Sequence, residues 1–303
     1  MKNYDIVVIG GGPAGMTAAL YALRSSKSVI VLEKEAFGGQ IATSPRLENY
    51  PTIESISGSD WADKLFTQIT ELGADFELEN VLNINKIDNH FVVKTDYNEY
   101  EAKAVIIANG VTHRKMGLPN EDDLVGKGVS YCAVCDGPFY KGKEIYLIGD
   151  ANTALQYALL LSTYCKAVHI LTLFDHFFGD QILVDRVLAS NNITVRHNLS
   201  LIELKGKDVL ESITFEDTQT KELVTYQTDN VFIAIGQVPS NDIYKDLVEL
   251  NQGFIATDEG MRTKTPGLFA AGDTRVKENR QVITACSDGA TAAVNAVKYI
   301  NSL

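Results

Sequence analysis

The chain has 303 residues, enough for two domains of ordinary size and too many for one small core. Hydrophobic residues make up 45% and charged residues 22%, with 23 Gly and 7 Pro, which excludes a disordered, collagen-like or low-complexity chain. A net charge of −12 argues against a general affinity for nucleic acid, because neutralising phosphates needs surplus Lys and Arg.

In chain order, residues 5–9 read as a buried strand, followed by a glycine turn, an amphipathic helix over 13–25 and a second strand at 29–32. The same phrase recurs as a strand at 144–148, a turn at 149–154, a helix at 154–162 and a strand at 167–171. Strands at 213–215, 224–226 and 231–235 are expected to finish the second unit. The stretch 267–273 and a helix near 289–300 match neither opening, and returning to the first domain is their economical placement. Two βαβ openings predict an α/β protein with parallel sheets and two Rossmann-like domains. No apolar run reaches the roughly 20 residues that span a bilayer. The N-terminal apolar run is too short for a signal peptide, so a cytoplasmic location without membrane attachment is expected.

Gly10-x-Gly12-x-x-Gly15, with Pro13 and Ala14 between, follows the first strand and opens the first helix. The first glycine suits a tight turn, the second lets backbone approach a pyrophosphate, and the third lets helix and strand pack closely. The helix N-terminus offers free N–H groups and a positive dipole end to phosphates. Glu33 ends the second strand, where a carboxylate can accept ribose hydroxyls. This context predicts a dinucleotide site, against the alternative of a glycine turn without ligand.

Cys132-Ala133-Val134-Cys135-Asp136-Gly137 is the most informative segment. A CxxC pair can close a small reducible ring, and its surroundings can make a thiolate available near neutral pH. Half a zinc site is the competing reading, but it needs a second CxxC or a histidine pair, and Cys165 and Cys286 are isolated. No metal is therefore expected, and Cys165 and Cys286 read as small buried apolar residues. Asp136 can exchange a proton with a thiol or serve as a turn residue before Gly137-Pro138.

The segments GGGPAG, CAVCDG and TPGLFAAGD, in this order and spacing along the whole chain, resemble the low-molecular-weight thioredoxin reductases. The resemblance implies a flavoprotein of two dinucleotide-binding domains, the second inserted into the first. Residues 1–113 and 243–303 would bind FAD, and 114–242 would be the NADPH-binding-like domain carrying the redox pair. Gly272 and Asp273 would meet the flavin's polyol chain. Arg280, Gln281 and Val282, Gly39 and Gln40, and the loop around Asn49 would face the cofactor. By the same resemblance Cys135 lies nearest the flavin, Cys132 attacks the thioredoxin disulfide, and Asp136 is the acid/base. Two linkers imply a hinge, and a homodimer is the implied assembly.

The second opening departs from that family. Its turn reads Gly149-Asp150-Ala151-Asn152-Thr153-Ala154, with a methyl where backbone should approach a pyrophosphate and an acid beside two phosphates. Where NADPH-using members carry arginines for the 2′-phosphate, residues 172–178 hold no Arg or Lys. Asp175 comes three residues late for a ribose carboxylate. This pattern resembles the ferredoxin-dependent flavin thioredoxin reductase. Leu173, Phe174, Phe177 and Phe178 suit core packing, a partner face or a second flavin. A ferredoxin would need a basic face, for which Arg24, Lys27, Lys34, Arg46 and Arg114 are candidates by their proximity to flavin-site loops. Two further readings stay open: an NAD(P)H-linked thioredoxin reductase with an unusual loop, and a non-enzymatic flavin redox sensor that binds a partner.

Overall fold

A computed structural model describes residues 2–44 and 47–303, and the chain divides into two compact units. One comprises residues 1–112 and 238–303, the other 113–237.

The first unit opens with β1 (Lys2–Ile9), α1 (Pro13–Arg24) and β2 (Val29–Glu33). Then come α2 (Gly58–Glu71), β3 (Asp75–Leu78), β4 (Val81–Ile87), β5 (His90–Thr95) and β6 (Glu99–Ile107). β3, β2, β1 and β6 are parallel neighbours, and β5 and β4 continue beyond β6 as antiparallel strands. Every residue of β2 and the last four of β1 are buried, as expected for parallel strands covered on both faces.

The chain crosses between units in the short strands β7 (Thr112–His113) and β16 (Gln237–Val238). In the second unit lie α3 (Glu121–Leu124), β8 (Val129–Ser130), α4 (Ala133–Asp136), β9 (Glu144–Ile148), α5 (Asn152–Ser162), β10 (Ala167–Leu171), α6 (Gln181–Leu188) and β11 (Ile193–Arg196). β12 (Leu199–Gly206), β13 (Leu210–Asp217), β14 (Leu223–Gln227) and β15 (Val231–Ile233) follow. β11, β10, β9, β15 and β8 form a parallel sheet.

The strands at 213–215 and 224–226 lie in the second unit, as expected, but outside that sheet. They belong to β13 and β14, which pair antiparallel with β12 in a separate three-stranded sheet. Strand residues alone do not choose a partner; here the turn at residues 217–222, closed by the Asp217 amide on the Glu222 carbonyl, folds the chain back as a hairpin.

The return to the first unit comes between 237 and 238, earlier than the expected 242/243. Asn241 is already tied there, donating through Nδ2 to the Gly253 and Thr274 carbonyls. β17 (Leu250–Asn251), β18 (Phe254–Ile255), β19 (Leu268–Ala270) and α7 (Val282–Ile300) complete this unit. β19 pairs parallel with the end of β6. α7 begins seven residues before the expected 289, because its small residues read as loop yet let it lie against α1. A Cβ on Gly289 would stand 2.1 Å from the Ala14 carbonyl oxygen, so the two helices meet backbone to backbone. No helix among the described residues is long and apolar enough to cross a membrane.

Candidate functional site

β1 delivers its chain end into a turn that only glycine fits. Gly10 has φ 107°, and a Cβ there would stand 2.3 Å from the Ala108 carbonyl oxygen. α1 then starts with Pro13 in its first turn and no side-chain cap on Gly12, leaving free amides at its positive end. A Cβ on Gly12 would meet nothing nearer than 3.9 Å, the Gly39 Cα, so the space in front of the turn is open to a phosphate. Glu33 is buried and fixes this turn: Oε2 accepts the Gly11 amide at 2.7 Å and Oε1 the Glu35 amide at 3.0 Å.

The C-terminal motif comes to the same place. β19 ends in a turn at Gly272–Thr274, and a Cβ on Gly272 would stand 2.7 Å from the Ala14 Cβ. Asp273 Oδ1 is buried and has no hydrogen-bond partner among the described residues. Burial pushes the Asp273 pKa up, against the pull of the Lys277 and Arg280 cations. A buried acceptor with nothing to accept is the signature of a ligand donor, such as the hydroxyls of a polyol. The Arg280 guanidinium lies 4.2 Å from the centroid of the Phe254 ring, with Nε 3.5 Å from the Asp273 carbonyl oxygen. Gln281 caps α7 with Thr284, and its Oε1 accepts from Asn49 Nδ2 at 3.0 Å. Val282 opens α7, and the Gln40 amide reaches the Val111 carbonyl at 3.5 Å. Residues scattered over the two ends of the chain thus line one site.

Sequence reasoning misses what holds this site. Asp288 of α7 is buried; its Oδ2 accepts the Gly272 amide at 3.1 Å, Arg275 Nε at 2.7 Å and Lys277 Nζ at 2.9 Å. Burial alone would raise the Asp288 pKa, but these two cations hold it below the ordinary range. Its signal in the sequence is a charged residue interrupting a run of small apolar ones. Asn109, at the end of β6, donates to the Ser240 carbonyl and to Asn241 Oδ1, while its own Oδ1 is buried without a partner. No sequence signal marks Asn109, Asn241 or Phe254.

The second unit repeats the turn with different chemistry. Gly149 has φ 147°, and a Cβ there would stand 2.3 Å from the Ala234 carbonyl oxygen. Exposed Ala151 occupies the cap of α5, and burial raises the pKa of Asp150 beside it. The segment after β10 packs on this turn: the Phe178 amide donates to the Asp150 carbonyl at 2.7 Å, and the Asp180 amide to Asn152 Oδ1 at 2.6 Å. Thr172, where a ribose carboxylate would stand, is fully buried with its Oγ1 on the Phe174 carbonyl and His197 Nδ1. Asp175 is engaged by its neighbour His176 at 2.6 Å. Phe178 meets Phe174 edge to face and His176 at a tilt, and Phe177 meets His197 edge to face. Leu173, Phe174 and Phe178 are exposed, so the core reading holds only for the half-buried Phe177.

In the same unit Cys132 and Cys135 form a disulfide, with Cα atoms 5.4 Å apart. Cys132 caps α4, and its Sγ accepts the Cys135 amide at 3.1 Å. Asp136 ends α4, and its Oδ2 accepts from Ser130 Oγ at 2.6 Å. Cys165 and Cys286 are buried free thiols, and burial raises the pKa of both. Among the described residues no cluster of three His, Cys, Asp or Glu side chains could hold a metal ion.

Two dinucleotide-type domains, one with a vicinal disulfide, define a disulfide oxidoreductase. Residues 4–296 match the family described as pyridine nucleotide-disulphide oxidoreductase. The chain is 40% identical to the thioredoxin reductase of Treponema pallidum over 99% of its own length and 98% of that protein's. The solved thioredoxin reductase of Lactococcus lactis is 36% identical and superposes with a TM-score of 0.96 over 99% of this chain and all of that one. A ferredoxin-flavin thioredoxin reductase from Clostridium acetobutylicum is 31% identical, with a TM-score of 0.56 over 100% of this chain and 99% of that one. The chain belongs to the thioredoxin reductases within the pyridine nucleotide-disulphide oxidoreductase family, whose members are FAD flavoproteins. Its residues fit that cofactor: the uncapped α1 and open Gly12 suit a pyrophosphate, and Asp273 offers the unused acceptor.

Proposed function

We propose that this protein reduces thioredoxin through Cys132–Cys135 and takes its electrons from reduced ferredoxin rather than from a pyridine nucleotide. The observation that carries the donor assignment is the α5 turn. A methyl at Ala151 and a half-buried acid at Asp150 stand where a pyrophosphate would bind, and residues 172–178 hold no Arg or Lys for a 2′-phosphate. At about 5 Å, repulsion between such an acid and a phosphate costs roughly 1 kcal/mol in water and several times more when desolvated.

Bound FAD supplies two electrons to the disulfide. Those electrons break the S–S bond, and uptake of one proton leaves a thiol and a thiolate. In this reading Cys132 Sγ, held by the Cys135 amide, attacks the disulfide of thioredoxin. The departing thioredoxin sulfur takes its proton from Asp136. Cys135 then gives its thiol proton to the Asp136 carboxylate and, as thiolate, displaces thioredoxin from the mixed disulfide, restoring the Cys132–Cys135 bond and the protonated Asp136. In the FAD-binding unit, Glu33, Gly12, Gly39, Gln40, Asn49, Gly272, Asp273, Arg280, Gln281 and Val282 hold the cofactor.

A basic docking face for ferredoxin does not gather around the cofactor turn as expected. α1 runs about 18 Å from its phosphate-facing end, so Arg24 lies at its opposite end and Lys27 beyond it. Lys27 bonds Asn301 Oδ1, Lys34 pairs with Glu35, exposed Arg114 belongs to the other unit, and Arg46 lies outside the described residues. The family resemblance also implies a homodimer, which light scattering measures directly.

A pyridine nucleotide remains the second reading, favoured by the family description itself. Anaerobic stopped-flow of the flavin absorbance with NADPH, NADH and reduced ferredoxin separates the two. Rapid bleaching by ferredoxin alone is expected; saturable bleaching by either nucleotide overturns the donor assignment.

A further inference from the structure

We infer that Ser130 is a positioning residue that decides which oxygen of Asp136 handles the proton. The inference rests on the acid/base role proposed for Asp136. Ser130 ends β8, is buried, and is anchored by the pairing of β8 with β15. Its Oγ has one hydrogen and two acceptors in reach, Asp136 Oδ2 at 2.6 Å and the Cys132 carbonyl at 3.3 Å, so the hydrogen goes to the carboxylate. The same Oγ accepts the Cys132 amide at 3.1 Å. One hydroxyl therefore joins the backbone of the attacking cysteine to the side chain of the acid.

A carboxylate oxygen that already accepts a short hydrogen bond is the poorer seat for a proton. With Oδ2 occupied by Ser130, the transferable proton sits on Oδ1. When Cys132 Sγ forms its bond to one thioredoxin sulfur, the other leaves with the electron pair of the broken S–S bond. The Asp136 Oδ1 proton passes to that sulfur, leaving the carboxylate that Ser130 then stabilises. Without the hydroxyl, Asp136 can turn either oxygen, or neither, toward the sulfurs. A residue that acts only by packing would gain nothing from the hydroxyl of a Thr at this buried position, whereas a donor would recover its function.

The test is single-turnover reduction of thioredoxin by pre-reduced, flavin-loaded enzyme, read by acid quench and thiol alkylation, which needs no knowledge of the electron donor. Ser130→Ala is expected to slow the limiting rate about tenfold with little change in the thioredoxin concentration at half-maximum, as for loss of a hydrogen bond to a charged group. Ser130→Thr, which keeps the hydroxyl, is expected to recover the rate to within about twofold, whereas a packing role would not be rescued. In an Asp136→Asn background Ser130→Ala is expected to add nothing, because both changes break one unit. Ser130→Gly removes the same hydroxyl and stands in if Ser130→Ala does not fold. An undiminished tenfold effect in the Asp136→Asn background, or a wild-type rate for Ser130→Ala beside a slow Asp136→Asn, overturns this inference alone. A wild-type rate for Asp136→Asn overturns the acid/base reading and the inference with it.

Discussion

The two turns that open the two units share a backbone and differ in what they show a ligand. Gly10 and Gly149 both have positive φ, and each lies so close to a carbonyl that a Cβ would approach it to 2.3 Å. That glycine is held by the sheet behind it, so it persists whether or not a nucleotide binds. The positions facing outward are under no such constraint. Gly12 leaves open space where Ala151 carries a methyl, and Glu33 pins its turn where Thr172 turns inward to His197. A strand–glycine–helix phrase therefore reports a fold, and only the outward residues report a ligand.

The largest expected effect falls on chemistry that only the second unit carries. Cys132→Ser or Cys135→Ser should each lower thioredoxin reduction by at least about 10³-fold while flavin content stays at the wild-type level. Loss of flavin in either variant would tie the redox pair to the first turn and blur the contrast. Next comes the support of the first site. Asp288→Asn leaves Arg275 and Lys277 with buried, uncompensated charge, and should cost about 3 kcal/mol by denaturant unfolding at neutral pH. Because the folded pKa of Asp288 is depressed, its contribution is complete above the ordinary carboxylate value of 3.8 and is lost as pH falls through the lower folded value. The gap between Asp288→Asn and wild type should therefore close below about pH 4.

Asp273→Asn should weaken flavin binding by about 10- to 100-fold, measured by fluorescence on release, since it removes the charged acceptor of a buried hydrogen bond. Asp150→Asn, the acid of the other turn, should leave flavin binding unchanged. Rebuilding the second turn as Ala151→Gly, Leu173→Arg and Phe174→Arg should raise NADPH affinity about tenfold or more over wild type in flavin-bleaching titrations. Ala151→Gly alone should gain little, because it opens space without adding charge. The smallest effect is expected at Cys165→Ala, which should keep thioredoxin reduction within about twofold and cost about 1 kcal/mol of stability.

Much of this protein is legible where chemistry is local. Gly10 to Glu33 spans one strand–turn–helix–strand unit, and Cys132 to Asp136 spans five consecutive residues, so spacing alone carries their meaning. Asp273 is legible through the Gly-Asp pair that ends an apolar strand. The partner of a strand is not: 213–215 and 224–226 read as strands, but nothing in their own residues says that they leave the parallel sheet. Nor is the start of α7, where Ala, Ser, Thr and Gly imitate a loop and serve a helix that must lie close to α1. Asp288 and Ser130 matter through neighbours 16 and 6 residues away, reached by folding and not by periodicity.

The amino-acid sequence by itself determined the two α/β units, the glycine turns, the vicinal cysteine pair and the emptied cation cluster, because each depends on residues within one or two elements. Only the tertiary structure decided that Asp288 clamps the Gly272 turn, that Asp273 is left with an unused buried oxygen, and that Ser130 holds Asp136. Those are contacts between side chains on separate elements, fixed by how strands and helices pack and by which polar atoms the packing leaves without water.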